Sequence, residues 1–329
     1  MNLICAFSSD ARPLYKADIY RALALPKGYI LHFRYQRKYI HQDVLDLGTK
    51  ILGRKVAIFF SRSLGANTAT TSYENYSIRY ATVTAFDESP ETNVYHVYMK
   101  LDDFCNVVIR NTNQLDYLPP NKFFTNLECA EMSQDMSWRS RVLAIKDYLP
   151  KLLFFNVSGV FDGNRKIALS YSNKKRSSHF EITQGQRHIL KVSLGNPQEN
   201  DVHIEVTDKG DEIELNSINP LQTSASFDDL EIPISSKALQ VRRQSTFLKF
   251  RLSNSPDKVS EYTTNIEFDI VRSKWSAIAF GFFATVALAA FSAMPSMSFK
   301  GEPLQPHEYA VFLVWFLATA GLYYYFNKK

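Results

Sequence analysis

The run WSAIAFGFFATVALAAFSAM, residues 275–294, and the run YAVFLVWFLATAGLYYYF, residues 309–326, contain no charged side chain. A helix of about 20 apolar residues crosses the hydrocarbon core of a bilayer, which is roughly 30 Å thick. Both runs are close to that length, and a buried core helix is the alternative interpretation of each. We therefore predict two transmembrane helices that form a carboxyl-terminal hairpin, joined by a loop at residues 295–308.

Basic residues on both sides of the hairpin predict its orientation. Arg272 and Lys274 precede the first run, and Lys328 and Lys329 follow the second. Basic flanks favour the cytoplasmic side, so we expect cytoplasmic amino and carboxyl termini and an external loop. The first residues lack a signal-peptide pattern, and the three cysteines lack metal-ligand spacing, which is typical of reduced cytosolic thiols. The sequence thus predicts a multi-pass membrane protein whose larger part faces the cytosol.

Short alternating runs of apolar and polar side chains dominate residues 1–130. Aromatic and β-branched residues are frequent in segments such as 29–39, 76–86 and 94–101, which predicts strands. Five or so strands in this length indicate a small β-barrel-like domain or a compact sheet. A helical connector is predicted over 131–151, because apolar positions recur at helical spacing and Pro150 ends them.

Residues 152–272 contain seven or eight further alternating segments, separated by turn sequences at regular spacing. This pattern predicts an antiparallel β-sandwich of immunoglobulin-like size. The block contains no cysteine, so no disulfide can join its sheets. The predicted fold class is therefore a mainly β cytosolic region, a small β-barrel-like domain plus an immunoglobulin-like sandwich, followed by a transmembrane α-helical hairpin.

Positive charge is concentrated near the start of the chain. Residues 1–80 contain 12 Lys or Arg and 5 Asp or Glu, whereas the whole chain has 38 and 33. Such a segment attracts phosphate, and the stretch HFRYQRKY at 32–39 interleaves arginine forks with tyrosine rings that stack on bases. The alternative is an amphipathic strand with buried aromatics and solvated cations. The candidate residues for a phosphate or base are Arg34, Tyr35, Arg37, Lys38, Tyr39, Arg79 and Tyr80.

Signatures of common enzyme classes are missing from the sequence. It contains no P-loop, no dinucleotide fingerprint, no HExxH, no CxxC and no GxSxG. The seven histidines are scattered without the spacing of zinc ligands. We therefore predict no catalytic residues, no metal and no cofactor, and we start from a binding role.

Small side chains recur at every fourth position of the first apolar run. They place a stripe along one face of the predicted helix, and such stripes let transmembrane helices approach closely. The stripe packs either against the second helix of the same chain or between protomers, and nearby hydroxyls line a pore or bond to their own backbone. The packing and pore candidates are Ala277, Gly281, Thr285, Ala289, Ser292 and Ala293.

A β-rich region without enzyme motifs, followed by the two runs at 275–294 and 309–326, resembles the two-helix membrane effectors of bacterial anti-phage defence systems, including the Hailong type. The resemblance lies in the order of domains. It implies an oligomeric, ligand-controlled channel or membrane-disrupting protein of the bacterial inner membrane. It also implies control by a nucleotide or single-stranded oligonucleotide that a partner nucleotidyltransferase makes. A homotetramer is our expectation for enclosing a pore.

Two other classes of function remain open from the sequence. One is a membrane-anchored scaffold that recruits a cytosolic partner and conducts no ions. The other is a membrane-tethered enzyme whose active site carries none of the common motifs. A channel would depolarise membranes. A scaffold would lose its function when moved to the cytosol but would conduct no ions, and an enzyme would keep its activity in residues 1–272.

Overall fold

A computed structural model of the chain describes residues 1–63, 73–110, 122–133, 135–172, 174–216, 219–237, 243–253, 262–272, 281–289 and 306–327. Strands dominate the described part and form one seven-stranded and two five-stranded sheets. The predicted β-rich character of the region before the apolar runs is therefore found.

The first half of the chain builds the seven-stranded sheet around one long helix. Its elements are β1 Asn2–Ser9, α1 Pro13–Ala24, β2 Ile30–Gln36, α2 Gln42–Leu45, β3 Lys55–Ser63, β4 Tyr73–Ser89, β5 Val94–Phe104, β6 Val107–Ile109 and β7 Phe124–Glu131, with 3-10 turns at Arg37–Tyr39 and Gly48–Ile51. The strand order is β2-β5-β4-β3-β1-β7-β6, in which only β1 and β3 are parallel neighbours. The order places β3 at the centre of the sheet, next to β1.

The seven-stranded sheet curls until its two sides nearly meet. A bridge joins Ile40, just after β2, to Phe124 on β7. Tyr35 packs across the same junction, because its ring stacks on Phe124 at 5.4 Å and its hydroxyl donates to the Phe7 carbonyl at 3.0 Å. The sheet is thus barrel-like, and its concave side holds the larger core.

Helix α1 was not predicted, and it connects the two halves of the molecule. Proline at its first position suits a helix start, because the missing N–H is not needed there. Six of its twelve residues are buried, and the helix packs against β1, β3 and β4 of the first sheet and against β8 of the second half.

The second half forms a β-sandwich after the short helix α3 Trp138–Ile145. Its strands are β8 Phe154–Asp162, β9 Arg165–Lys166, β10 Leu169–Ser172, β11 Ser177–Thr183, β12 Arg187–Gly195, β13 His203–Asp208, β14 Ile213–Leu215, β15 Phe227–Ser236, β16 Arg243–Ser253 and β17 Thr263–Val271. The sheet orders are β10-β11-β17-β16-β13 and β14-β15-β12-β8-β9, an arrangement compatible with an immunoglobulin-like sandwich.

Both halves share one continuous hydrophobic core. Within the sandwich, Phe155 of one sheet stacks on Phe250 of the other at 4.8 Å. Between the halves, the Asn156 amide donates to the Leu23 carbonyl at 2.8 Å, and the Glu267 N–H donates to the Tyr29 hydroxyl at 3.0 Å. The two halves therefore present a fixed common surface rather than a loose hinge.

The predicted transmembrane hairpin is wrong. Within the part of the chain that the structure describes, we find no helix with both the length and the apolar character to cross a membrane. Within the first run the structure describes residues 281–289, which are helical and are called α4 here. The second run lies in α5 Pro306–Asn327, which starts with His307 and Glu308 among its first residues. The same finding corrects the predicted fold class, the description as a transmembrane ion channel, and the multi-pass inner-membrane location.

The small-residue stripe does not form a helix–helix contact over the described residues. Gly281, Thr285 and Ala289 are exposed, and a Cβ on Gly281 would meet nothing within 4 Å. The close approach of α4 and α5 is elsewhere, because a Cβ on Gly321 would lie 3.1 Å from the ring of Phe283. The remaining candidates of the stripe, Ala277, Ser292 and Ala293, lie outside the described residues.

Candidate functional site

A cleft of about 520 Å³ opens between the first sheet and the sandwich. The α1–β2 turn, β2, β4 and β5 form one wall, and the β9 to β11 segment forms the other. The volume falls in the range of small-molecule sites, roughly 300–1,000 Å³. Since both halves are packed on a common core, the cleft is preformed.

Three lysines from three separate elements line the cleft. Lys27 lies in the α1–β2 turn, Lys100 on β5 and Lys166 on β9. The Lys27 ammonium contacts Asp102 at 3.1 Å and Asp103 at 2.5 Å, and these bonds raise its pKa. Positive charge is thus gathered at one place from distant parts of the sequence.

Lys100 and Lys166 have no carboxylate within ion-pair distance among the described residues. Burial, and then the nearby charges of Lys27 and Arg79, lower the pKa of Lys166. Neighbouring cations disfavour each other unless an anion lies between them. The cleft therefore holds positive charge that the described protein groups leave uncompensated.

Hydroxyl and apolar groups complete the lining. Ser170 and Tyr171 supply hydroxyls, while Ile30 and Leu169 supply apolar surface. None of the described residues that line the cleft is an Asp, Glu, His or Cys. The cleft can thus bind an anionic group attached to an apolar body.

Gly28 shapes the floor of the cleft. Its φ of +90° disfavours other residues, and its N–H donates to the Leu101 carbonyl at 2.8 Å. A Cβ at this position would lie 3.3 Å from Leu169 Cδ1 on the opposite wall. Glycine here lets the two halves approach closely beside the lysines.

A stack of side chains continues along the β2–β5 pair beside the cleft. The His32 ring lies parallel to Tyr98 at 4.4 Å, and its Nε2 is 3.0 Å from Nδ1 of His96. Arg176, from the β10–β11 turn, lies 5.1 Å from the Tyr98 ring and pairs with Asp87 on β4. The stack fastens the sandwich turn to the outer face of the first sheet.

The stack makes the stability of the fold sensitive to acid. Burial, followed by His96, Arg34 and Arg176, lowers the pKa of His32 from 6.5 to about 4. Between those two pH values the unfolded chain binds a proton that the folded chain does not, so stability falls as the pH drops from 6.5 towards 4.

We expect the wild-type chain to lose about 1–2 kcal/mol more than His32→Gln between pH 7 and pH 4.5, after discounting the shift for the partial exposure of His32. Urea unfolding of both chains across this range measures the difference, in which other titrating groups cancel. Equal losses in the two chains would show that His32 does not carry this acid sensitivity.

The structure separates the residues that the sequence proposed for ligand binding. Arg34 and Lys38 are exposed, and Arg37 donates to Gln42 at 2.9 Å on the surface. Tyr35 is buried in the junction described above, and Tyr39 packs edge-on against Phe123. In this stretch the strand thus has the amphipathic arrangement that was the alternative interpretation.

Arg79 and Tyr80 lie in the interior, on opposite faces of β4. Arg79 is 2% exposed, and its guanidinium donates to the carbonyls of Ala22, Leu25 and Asp102. The Tyr80 hydroxyl donates to Glu131 at 2.8 Å. Neither side chain reaches the cleft lining, so of the seven proposed residues only the surface cations are available to solvent.

No sequence pattern pointed to Lys27, Lys100 and Lys166 as a site. Each lysine is more than sixty residues away in the sequence from the next one, and none belongs to a motif. Among the described residues, no group of three or more His, Cys, Asp or Glu side chains is placed to hold a metal ion.

No protein-family model matches the chain, and no curated protein matches it. Among solved structures, the chain is similar to "Structure of Vibrio cholerae VesB protease" at 7% sequence identity. The match covers 64% of this chain and 85% of that chain, with a TM-score of 0.16. A TM-score this low does not show a shared fold, so the protease carries no argument about this chain.

Proposed function

We propose that the chain binds a small phosphate-bearing ligand in the cleft between its two halves and acts as a ligand sensor. The observation that carries the proposal is that Lys100 and Lys166 line the cleft with no carboxylate at ion-pair distance among the described residues, beside Lys27, which Asp102 and Asp103 already pair. Ammonium groups bind phosphate as point charges, and hydroxyls of Ser170 and Tyr171 can donate to its oxygens.

The shape and chemistry of the cleft favour a nucleotide-like ligand over a bare anion. A volume of about 520 Å³ is much larger than one phosphate group, and Ile30 and Leu169 offer apolar surface for the rest of the molecule. A nucleotide is also what the basic amino-terminal segment predicted. A role in anti-phage defence stays a prediction, and the membrane channel is not part of this proposal.

A ligand in this cleft would contact both halves of the molecule at once. Lys27 and Lys100 belong to the first sheet, whereas Lys166 and Ser170 belong to the sandwich. Binding of this kind stabilises the folded chain by mass action and holds the β9 to β11 segment against the first sheet. The sensing event is therefore expected as a change in the mobility of that segment.

The test is isothermal titration of the full chain with ATP and with inorganic pyrophosphate. The double substitution Lys100→Glu/Lys166→Glu is expected to weaken binding at least tenfold, because two attractive charges become repulsive. The matched control Lys50→Glu/Lys151→Glu changes the net charge equally at two exposed sites outside the cleft lining, and should bind as the wild type does.

Two results would contradict the proposal. Equal weakening in the control would assign binding to net charge alone, and the absence of binding to either compound would remove phosphate from the ligand chemistry. Analysis of the ATP recovered from the titration separates a sensor, which returns it intact, from an enzyme that cleaves it.

A further inference from the structure

A second concave surface, which we call the acidic groove, lies on the sandwich away from the lysine cleft. Its volume is about 970 Å³, and it is bordered by β15 and by the segments at 196–202 and 221–224. It shares no lining residue with the cleft. The groove therefore needs an explanation of its own.

The acidic groove runs beside an open strand edge. On one side, β15 pairs with β12 from Phe227 to Ser235. On the other side, β14 pairs only with 234–236, and the N–H of Asn216 adds one bond to the Pro233 carbonyl. Over 228–232, β15 thus has no strand neighbour on its outer edge within the described part of the chain.

Open edges are usually blocked, because their free N–H and C=O groups pair with other chains. The edge of the other sheet is blocked in this way, since Ile204 on β13 bridges to Leu221 and the Asn219 side chain bonds both the N–H and the carbonyl of Val206. The β15 edge is blocked only at Asp229, whose N–H donates to the Asp228 carboxylate at 2.9 Å, and a groove lies beside the rest of the described edge. The contrast within one sandwich marks this edge as a place where an extended segment fits.

The charges of the groove select the occupant. Its described lining includes the carboxylates of Glu199, Asp201, Asp228 and Glu231 and no Lys or Arg. Lys191 pairs with Glu231 at 2.7 Å, which leaves the other three without a described ion pair. Between the carboxylates, Ile232 and other apolar side chains form the floor. Alternating basic and apolar side chains complement this surface, as they do in an extended strand.

We propose that an extended, lysine- or arginine-bearing segment of a protein partner docks in the acidic groove by adding a strand to β15. Backbone hydrogen bonds to 228–232 give this mode its affinity, and the carboxylates give it specificity. The interaction does not depend on the lysine cleft, so either proposal can stand without the other.

The probe is a fluorescein-labelled seven-residue peptide of alternating lysine and valine, titrated with the full chain and followed by anisotropy. We expect the lysine peptide to bind saturably. The same peptide with glutamate in place of lysine should bind at least tenfold more weakly. Complete N-methylation of the lysine peptide should abolish binding, because its backbone can no longer donate. Equal binding of the glutamate peptide, equal binding of the methylated peptide, or no binding of the lysine peptide would each overturn the proposal.

Charge reversals at exposed positions test whether the peptide binds in the acidic groove. Glu199→Lys/Asp201→Lys is expected to weaken the lysine peptide at least tenfold. Glu91→Lys/Asp162→Lys makes the same change in net charge outside the groove and should leave the affinity within twofold. Equal effects of the two pairs would show that the peptide responds to overall charge and does not occupy the acidic groove.

Discussion

Replacing Arg79 by methionine is expected to lower the free energy of unfolding by about 3–5 kcal/mol. The guanidinium donates to Leu25 at 2.6 Å and to Ala22 at 3.2 Å, two carbonyls at the carboxyl end of α1 that have no other helical partner. It also donates to Asp102 and lies 4.4 Å from the Phe104 ring. Methionine fills much of the space but leaves these buried carbonyls without donors.

Urea unfolding followed by circular dichroism measures this loss. Arg34→Met is the matched control, because Arg34 is exposed on β2 of the same sheet, and it should change stability by less than about 0.5 kcal/mol. A loss below about 1 kcal/mol for Arg79→Met would show that another group or water satisfies the α1 carbonyls. Burial lowers the pKa of Arg79 to about 10, so the guanidinium stays charged and the loss should be constant across neutral pH.

The surroundings of Arg79 also show why strict side-chain alternation does not predict which residues of β4 share a face. Strict alternation along the predicted strand at 76–86 would place Ile78 and Tyr80 on one face and Arg79 and Ala81 on the other. In the structure Ile78 and Ala81 belong to the same core, and Tyr80 to the smaller cluster on the opposite face. Register shifts at Ile58/Phe59 and at Arg79/Ala81 move the side chains out of strict alternation. A β-bulge of this kind depends on the pairing of strands and has no clear mark in the sequence.

The strands and the turns between them were accessible from the sequence because each is a local pattern. Segment 29–39 was predicted as a strand, and the structure has β2 at Ile30–Gln36. The lysine cleft was not accessible, because Lys27, Lys100 and Lys166 meet only after α1 has fixed the sandwich on the first sheet. The apolar runs led to a wrong prediction of a transmembrane hairpin. Their composition fits a membrane span, but the described helices do not provide one.

Helix α1 holds the first sheet and the sandwich together, and Tyr20 is the central side chain of this helix. Tyr20 is 1% exposed, and its hydroxyl donates to the Leu153 carbonyl at 2.9 Å. Its ring lies 5.7 Å from Phe155 and 6.1 Å from Tyr262, both in the sandwich, while α1 itself packs on the first sheet. One side chain thus contacts the second half from an element that belongs to the first.

We expect Tyr20→Ala to lower the free energy of unfolding by about 3–5 kcal/mol through the cavity that it leaves, and Tyr20→Phe by about 1–3 kcal/mol through the unpaired Leu153 carbonyl. Hydrogen exchange gives the decisive readout, with amides of β1 reporting on the first sheet and amides of β8 on the sandwich. If the halves unfold as one unit, Tyr20→Ala accelerates exchange in both strands to the same extent. Acceleration confined to β8 would mean that the sandwich opens by itself. The lysine cleft would then be a hinged rather than a preformed site, and ligand binding would have to provide the free energy that closes it.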